Sequence, residues 1–127
     1  GLTQIAGFIT DTIREAVAGS DTLVLEANHD VEMLKNGPYP QALKQRILST
    51  RGHLSNNTAG IFLASLAKLP EHVVLAHLSE KNNLPQLAQD TVENILADKK
   101  RLEETQLFVA DQHKLVADSP LTLDLGF

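Results

Sequence analysis

The sequence predicts a single α/β domain whose sheet is at least partly parallel. Two short, mostly apolar runs, residues 22–27 and 73–76, are too short for helices and have the composition of strands buried on both faces. The segments around them repeat apolar residues at helical spacing, so helices and strands alternate. A chain of 127 residues with 43% hydrophobic and 21% charged content has enough apolar material for one core.

The first predicted elements are a short helix and a buried strand. Thr12 and Glu15 have the spacing of a capping box, and Gly19 follows as a stop, which together predict a helix over residues 10–18. The strand over residues 22–27 comes next. No element is evident before this helix.

Two further helices are predicted between the strands, separated by a proline-rich turn. The first covers residues 30–36 and ends at Gly37-Pro38-Tyr39-Pro40. Pro40 suits the first turn of the next helix, over residues 41–49, because its fixed backbone angle matches a helix start.

Ser55 is a good N-cap for the following helix, which Pro70 closes. The strand over residues 73–76 comes next. The apolar positions that recur at helical spacing in this helix are Ile61, Phe62, Leu63, Leu66 and Leu69.

The last part of the chain predicts a long helix and two strands. The helix starts near Pro85 and runs to about Lys100, and residues 106–110 and 121–125 have strand-like patterns. About four strands would then cover five helices, with no clear beginning to the fold. This imbalance is typical of a piece of a larger domain.

Composition excludes several classes of protein. The chain has no cysteine, which removes disulfides, thiolate nucleophiles and cysteine-based zinc sites and is compatible with a reducing compartment. No apolar run approaches the roughly 20 residues of a membrane span, and the N-terminus lacks the features of a signal peptide. We therefore expect a cytoplasmic protein with no membrane partner.

Charge is distributed unevenly along the chain. The net charge is −5, yet no acidic residue occurs from Met33 to Pro70. This cationic window predicts local attraction for an anionic group, and a solvated basic surface is the alternative. Its basic residues are Lys35, Lys44, Arg46, Arg51 and Lys68.

Both predicted strands stop on side chains that handle protons. Glu26 ends the first, followed by Asn28, His29 and Asp30, and His77 and Ser79 follow the second. In an open α/β sheet, ligands collect beyond the carboxyl ends of the strands, so these side chains point to one site. His53, just before a predicted helix start, joins them.

The pattern alone leaves the role of each residue open. His77 is either a ligand or an ordinary hydrogen-bonded histidine, and His53 either acts in chemistry or caps and packs. Tyr39 either stacks on a base or anchors its loop against the core.

Four ordered motifs nevertheless resemble a known family. Together they are similar to the carboxyl-terminal half of the WalJ-type (YycJ-type) branch of metallo-β-lactamase-fold hydrolases, from about residue 7 to residue 96. The motifs are Leu25-Glu26-Ala27-Asn28-His29-Asp30-Val31-Glu32-Met33-Leu34, then Tyr39-Pro40 with Leu43-Lys44-Gln45-Arg46-Ile47-Leu48-Ser49, then Gly52-His53-Leu54-Ser55-Asn56, and Leu75-Ala76-His77-Leu78-Ser79-Glu80-Lys81-Asn82-Asn83.

The resemblance implies both a fold and a reaction. The expected fold is half of a four-layer αββα metallo-β-lactamase sandwich, an α/β arrangement in which helices flank a mixed sheet. The expected reaction is attack on a phosphodiester by water that two divalent metal ions, zinc or manganese, activate. This branch is associated with DNA exonuclease activity, so nucleic acid or another phosphodiester is the implied substrate.

The resemblance also implies site residues. His77 would be a metal ligand, and Glu26 with His53 would shuttle a proton to the leaving oxygen. A carboxylate beside a histidine suits general-acid work, because it raises the histidine pKa and fixes its tautomer. The expected substrate-binding residues are Ser55, Asn56, Ser79 and Arg46, and the expected site-orienting residues are Asn28, His29 and Asp30.

The chain also departs from the family pattern. The His-x-His-x-Asp-His metal motif is absent, and residues 3–6 lack the carboxylate that would bridge two metals, for which Asp11 is a poor substitute. His77 alone cannot hold a dinuclear centre, since tight sites need three or more protein ligands. We therefore expect a partial domain that is inactive, or nearly so, without a missing amino-terminal half.

Two other functions compete with this one. The first is a non-catalytic binding or assembly half-domain, which would self-associate into a homo-oligomer or dock a partner half because a half-sandwich exposes sheet surface. The second is a metal-free hydrolase using Ser79 or Ser55, which the lack of a Gly-x-Ser-x-Gly elbow disfavours.

Overall fold

A computed structural model describes residues 1–7, 11–49 and 52–110. Its four strands form one sheet in the order β1-β2-β3-β4, and every described pairing is parallel. The mixed sheet of the sequence prediction is therefore not seen among these strands. The strands are β1 (Leu2–Ile5), β2 (Thr22–Glu26), β3 (His72–Ala76) and β4 (Gln106–Val109).

β1 is the described strand that the sequence did not predict. It pairs along its whole length with β2, from Leu2 opposite Thr22 to Ile5 opposite Leu25. Only Ile5 in this strand is buried, so its short and partly polar sequence lacks the apolar run that marks β2 and β3. The strand predicted over residues 121–125 lies outside the described residues.

Five helices and a short 3-10 turn accompany the sheet, close to their predicted positions. The main difference is that α4 ends at Ser65 rather than near Pro70, although Leu66 and Leu69 beyond it are still buried. No described helix is both long and apolar enough to cross a membrane. The helices are α1 (Asp11–Ala18), α2 (Val31–Asn36), α3 (Gln41–Leu48), α4 (Asn56–Ser65) and α5 (Pro85–Asp98), and the turn is Leu102–Glu104.

The predicted helix starts have the expected chemistry. The Asp30 side chain accepts a hydrogen bond from the Met33 amide at 3.0 Å, and the Ser55 hydroxyl accepts one from the Thr58 amide at 3.0 Å. Pro85 begins α5. These contacts satisfy amides that have no partner within the helix.

Apolar side chains lie on both faces of the central strands. The larger cluster joins alternate strand residues such as Leu23 and Leu75 to Phe62 of α4 and Leu96 of α5. A smaller cluster on the other strand face contains Val24, Val74, Ala76 and Ala110. Every residue of β2 is buried, which explains its nearly continuous apolar sequence.

Candidate functional site

Glu26 is the last residue of β2, and its side chain is buried at the carboxyl edge of the sheet, with 1% exposure. A carboxylate in this position needs hydrogen-bond partners to offset its lost hydration. Oε1 accepts from the Leu54 amide at 2.7 Å and the Gly7 amide at 3.0 Å. Gly7 has a φ of 81°, a left-handed angle that glycine adopts without strain.

The second carboxylate oxygen holds two histidines. Oε2 of Glu26 lies 2.9 Å from Nδ1 of His53 and 2.7 Å from Nδ1 of His77. The ring centroids are 5.6 Å apart, and the rings meet edge to face. The three residues that the sequence and the resemblance singled out therefore converge on one oxygen.

The ionisation of Glu26 determines how these rings are protonated. Burial alone would raise its pKa, but hydrogen bonds from the Leu54 amide, the His53 ring and the Gly7 amide hold the pKa below its ordinary value. The group is therefore a carboxylate at neutral pH and accepts from both Nδ1–H groups. In the neutral rings, Nε2 then carries the lone pair.

The loop after β3 places His77 with an unusual backbone. His77 has a φ of 60°, in the left-handed region that side chains with a Cβ disfavour. The Asn28 side-chain amide donates to the His77 carbonyl at 3.0 Å, and the Ser79 amide donates to the Asn28 carbonyl at 2.7 Å. The Asn28 amide also donates to the Leu54 carbonyl at 2.8 Å. Asn28 thus joins the loops that carry both histidines.

The other two residues predicted to orient the site lie beside it. His29 is buried, and its Nδ1 lies 3.2 Å from Oδ1 of Asn28. Burial, with the nearby His53, lowers the pKa of His29. Asp30 caps α2. Neither residue lines the cleft described next.

A cleft of two adjoining lobes opens over the histidine pair. The larger lobe has a volume of about 600 Å³ and the smaller about 370 Å³. Arg46 lines the larger lobe and Ser79 the smaller, and their substrate-binding role stays a prediction. Both lobes are lined by Tyr39, Ile47, His53 and His77; the larger adds Ala6, Gly7, Glu26, Leu43, Arg46 and Gly52, and the smaller adds Asn28, Ser79, Glu80 and Lys81.

Ser55 and Asn56 do not line this cleft. The Ser55 side chain caps α4, and the Asn56 side chain is fully buried. The amides of Asn56 and Asn83 exchange two hydrogen bonds of 2.9 Å, and Asn83 also donates to the Ala27 carbonyl. The substrate-binding role predicted for Ser55 and Asn56 stays a prediction, and in this structure their polar atoms hold α4 in place.

Several parts of the site were not marked by the sequence analysis. The amides of Gly7 and Leu54 bind Glu26 through the backbone, which residue type does not reveal. The Asn83 pairing joins residues 27 positions apart. Leu43 and Ile47 contribute an apolar wall, and only their four-residue spacing on a helix hints that they share a face.

The chemistry of Glu26, His53 and His77 suits a divalent metal. Each offers one ligand atom, and these atoms lie within 4.8 Å of one another. A carboxylate oxygen and two imidazole nitrogens are donors that zinc and similar metals accept. Among residues 1–7, 11–49 and 52–110, this is the one group of three such side chains.

Fold and site together define an α/β protein whose parallel sheet presents a carboxylate and two histidines in an open cleft. The chain is similar to exodeoxyribonuclease YycJ of Bacillus anthracis, with 40% identity over 94 residues that cover 73% of this chain and 36% of the relative. It is also similar to exodeoxyribonuclease WalJ of Streptococcus pneumoniae D39, with 44% identity over 92 residues that cover 72% and 34% of the two chains.

The chain thus spans about a third of the length of these curated relatives. No protein-family model matches it. No solved structure matches it significantly.

Proposed function

We propose that this chain is part of a metal-dependent exodeoxyribonuclease of the WalJ-type branch, with the metallo-β-lactamase fold. The proposal depends on one observation. The buried Glu26 carboxylate accepts hydrogen bonds from His53 and His77 on one oxygen beside an open cleft. The names of the relatives support DNA as the substrate. Apolar clusters on both faces of the central strands support the larger four-layer sandwich.

His53 is the proton donor in this proposal. Its Nδ1–H is held by Glu26 at 2.9 Å, so Nε2 is the ring atom that presents a proton to the oxygen leaving the phosphodiester. The Glu26 carboxylate stabilises the protonated ring before transfer and fixes its orientation throughout. The His53 side chain is 45% exposed and can therefore reach a substrate in the cleft.

Of the three residues that could hold a metal, His77 alone is the proposed ligand, because Glu26 and His53 form the proton-transfer pair in this proposal. Glu26 occupies its Nδ1, which leaves Nε2 as the ligand atom and matches the common arrangement in which a carboxylate orients a metal-binding histidine. When bound, zinc or manganese would supply a water of lowered pKa and offset charge on the phosphodiester oxygens. Asn28 keeps His77 in position through the His77 carbonyl.

A centre of two metal ions needs more ligands than these residues offer, since tight sites take three or more protein ligands each. We propose that the remaining ligands come from an amino-terminal half of the domain, since the chain matches only about a third of the length of its relatives. The chain on its own is then inactive, or nearly so.

Substrate binding uses the cationic side of the cleft. Arg46 is exposed on α3 and lines the larger lobe, and Ser79 lines the smaller lobe. A guanidinium binds phosphate oxygens well, and such contacts position a nucleic acid without reading its sequence. Arg46 would therefore hold a backbone phosphate of the DNA.

A chimera tests the proposal most directly. The segment of Bacillus anthracis YycJ that this chain matches is replaced by the chain, and end-labelled DNA is incubated with manganese or zinc. We expect the chimera to shorten DNA from an end and the 127-residue chain alone to be at least 100-fold slower.

His77→Ala and Glu26→Gln should each lower the activity of the chimera by about 100-fold or more, in line with loss of a group that acts in the reaction. His72→Ala is the matched control, because His72 lies at the start of β3, the end of the strand opposite to the loop that carries His77. A folded chimera that leaves DNA intact, or one that keeps full activity after His77→Ala, would contradict the proposal. Full activity of the chain alone would contradict the proposal that ligands from outside the chain are needed.

A further inference from the structure

Tyr39 stands where the two lobes of the cleft meet. Together with Ile47, it lines both lobes beside His53 and His77. Its ring is half-buried. A tyrosine that served only to anchor its loop would bury its ring in the core, so this position is better explained by a ligand in the cleft.

The backbone around Tyr39 is stiff. Pro38 precedes it, and Pro40 follows with a φ of −58° as the residue that leads into α3. Because proline rings fix their backbone angles, the aromatic ring is presented with little conformational entropy left to lose on binding.

α3 continues the wall that Tyr39 begins. Leu43 and Ile47 follow it at intervals of four residues, and both line the larger lobe. No residue of α3 is buried, so the helix turns its apolar side chains to the cleft rather than to the core. Arg46 lies in the same wall, and the sequence has no acidic residue from Met33 to Pro70.

We propose that Tyr39 is a substrate-binding residue whose ring stacks on the nucleobase next to the phosphodiester at His53. The inference rests on the proposed function, which places that phosphodiester at the histidines. A flat aromatic ring beside an apolar wall matches a base, and the cationic character of α3 matches the phosphates on either side of it. Stacking would also be tolerant of sequence, as a general exonuclease requires.

The composition of the chain gives this inference a clean test. Tyr39 is the only tyrosine in the sequence and there is no tryptophan, so its ring protons form one identifiable pair of NMR signals. The full 127-residue chain is titrated, without metal, with a single-stranded hexanucleotide of thymidine and with an abasic hexamer of the same charge. We expect the ring signals to move upfield with the first ligand and to stay in place with the second.

Variants separate stacking from packing. Tyr39→Leu keeps an apolar side chain but removes the ring, and it should weaken binding of the hexanucleotide about 5- to 100-fold, the usual range for one base–aromatic stack. Tyr39→Phe should bind as the original chain does. Leu84→Ala, an exposed apolar residue that lines neither lobe, is the control and should leave binding unchanged.

Three results would overturn the inference. They are no binding of the hexanucleotide, equal ring shifts with the abasic hexamer, or an unchanged affinity of Tyr39→Leu accompanied by a lower melting temperature. The last would mean that Tyr39 only packs against its own protein. The outcome is separate from the nuclease proposal, because base-dependent ring shifts without DNA cleavage in the chimera support stacking alone. Cleavage without those shifts supports the nuclease alone.

Discussion

The Glu26 carboxylate organises much of this site. Oε1 and Oε2 of Glu26 together accept four hydrogen bonds, two from backbone amides and two from histidine rings. A neutral amide in the same place has a single oxygen and adds hydrogens of its own, so it cannot satisfy all four donors. Glu26 is therefore needed for the local structure as well as for the proposed chemistry.

Replacing this carboxylate should have a measurable cost. We expect Glu26→Gln to lower the free energy of unfolding by about 2–3 kcal/mol, because it leaves buried donors without acceptors. Urea denaturation followed by circular dichroism gives the value. Glu104→Gln is the control, since Glu104 pairs with Arg101 at the surface and should change stability by about 0.5 kcal/mol or less. Equal losses in the two variants would contradict this account of Glu26.

His29 makes stability depend on pH. Burial lowers its pKa, so as pH falls below about 6.5 the unfolded chain takes up a proton before the folded chain does. The stabilisation that His29 gives is therefore complete above the ordinary histidine pKa and is lost as pH falls toward the lowered value. We expect His29→Gln to flatten the loss of stability as pH falls below about 6.5.

The measurement is a set of urea denaturation curves at half-unit pH intervals for both proteins. The difference in slope is the readout, since the substitution can lower stability at every pH. Parallel curves for the two proteins would rule out His29 as the source. Glu26 adds a separate loss at lower pH, because its lowered pKa means that its stabilisation persists until pH falls below the ordinary glutamate value.

Residue types predicted the centre of the site better than its surroundings. Glu26 ends one buried strand, His77 follows the other and His53 precedes a predicted helix start, and the hydrogen bonds show that the three side chains lie together. Their catalytic and metal-binding roles stay predictions. The buried contacts of Asn56 were not predicted, because a polar residue at a helix start can face either a ligand or the interior, and sequence does not give that direction.

At the scale of elements, the junction between α3 and the His53 loop is unusually tight. A Cβ on Gly52 would lie within about 2.5 Å of the Arg46 carbonyl oxygen and still closer to the Ile47 carbonyl, both backbone atoms that cannot simply rotate away. Gly52 therefore lets the chain turn from α3 into His53 at close range.

Gly52→Ala should push α3 and His53 apart. We expect a loss of about 1–3 kcal/mol in unfolding free energy, typical of an overpacked site, together with weaker DNA cleavage by the chimera. Gly19→Ala is the control, because nothing lies near the position of its added Cβ. If the two variants were equally stable and active, the close approach at Gly52 would have no consequence.

The sequence predicts some strands and helix ends better than others. β2 and β3 are long apolar runs because both of their faces are covered, whereas β1 is an edge strand with one buried residue and carries no such signal. The end of α4 was placed too late, because Leu66 and Leu69 continue the apolar pattern after the helix has stopped. Burial, rather than helical geometry, keeps those two residues apolar.

At the scale of the whole molecule, the open question is what the chain associates with. The described sheet ends at β1 on one side and β4 on the other, and Leu2 on β1 is 46% exposed. An edge strand of this kind can pair with another chain. The binding or assembly alternative therefore makes a prediction different from that of the nuclease proposal.

Light scattering coupled to size-exclusion chromatography distinguishes the two. Under the nuclease proposal we expect the 127-residue chain to elute as a monomer, with a mass near 13.8 kDa. A stable dimer that dissociates when Gln4→Pro removes an amide on the side of β1 facing away from β2 would instead favour self-association through β1.

The sharing of a single oxygen by two rings has a wider implication for the order of events during turnover. Under the nuclease proposal, positive charge on His53 would draw electron density in Oε2 toward itself and weaken the hydrogen bond from His77 to the same oxygen. After proton transfer from His53, the hydrogen bond from His77 to Oε2 of Glu26 would strengthen again. Proton donation by His53 and the hydrogen bond that orients His77 would therefore be coupled through the Glu26 carboxylate.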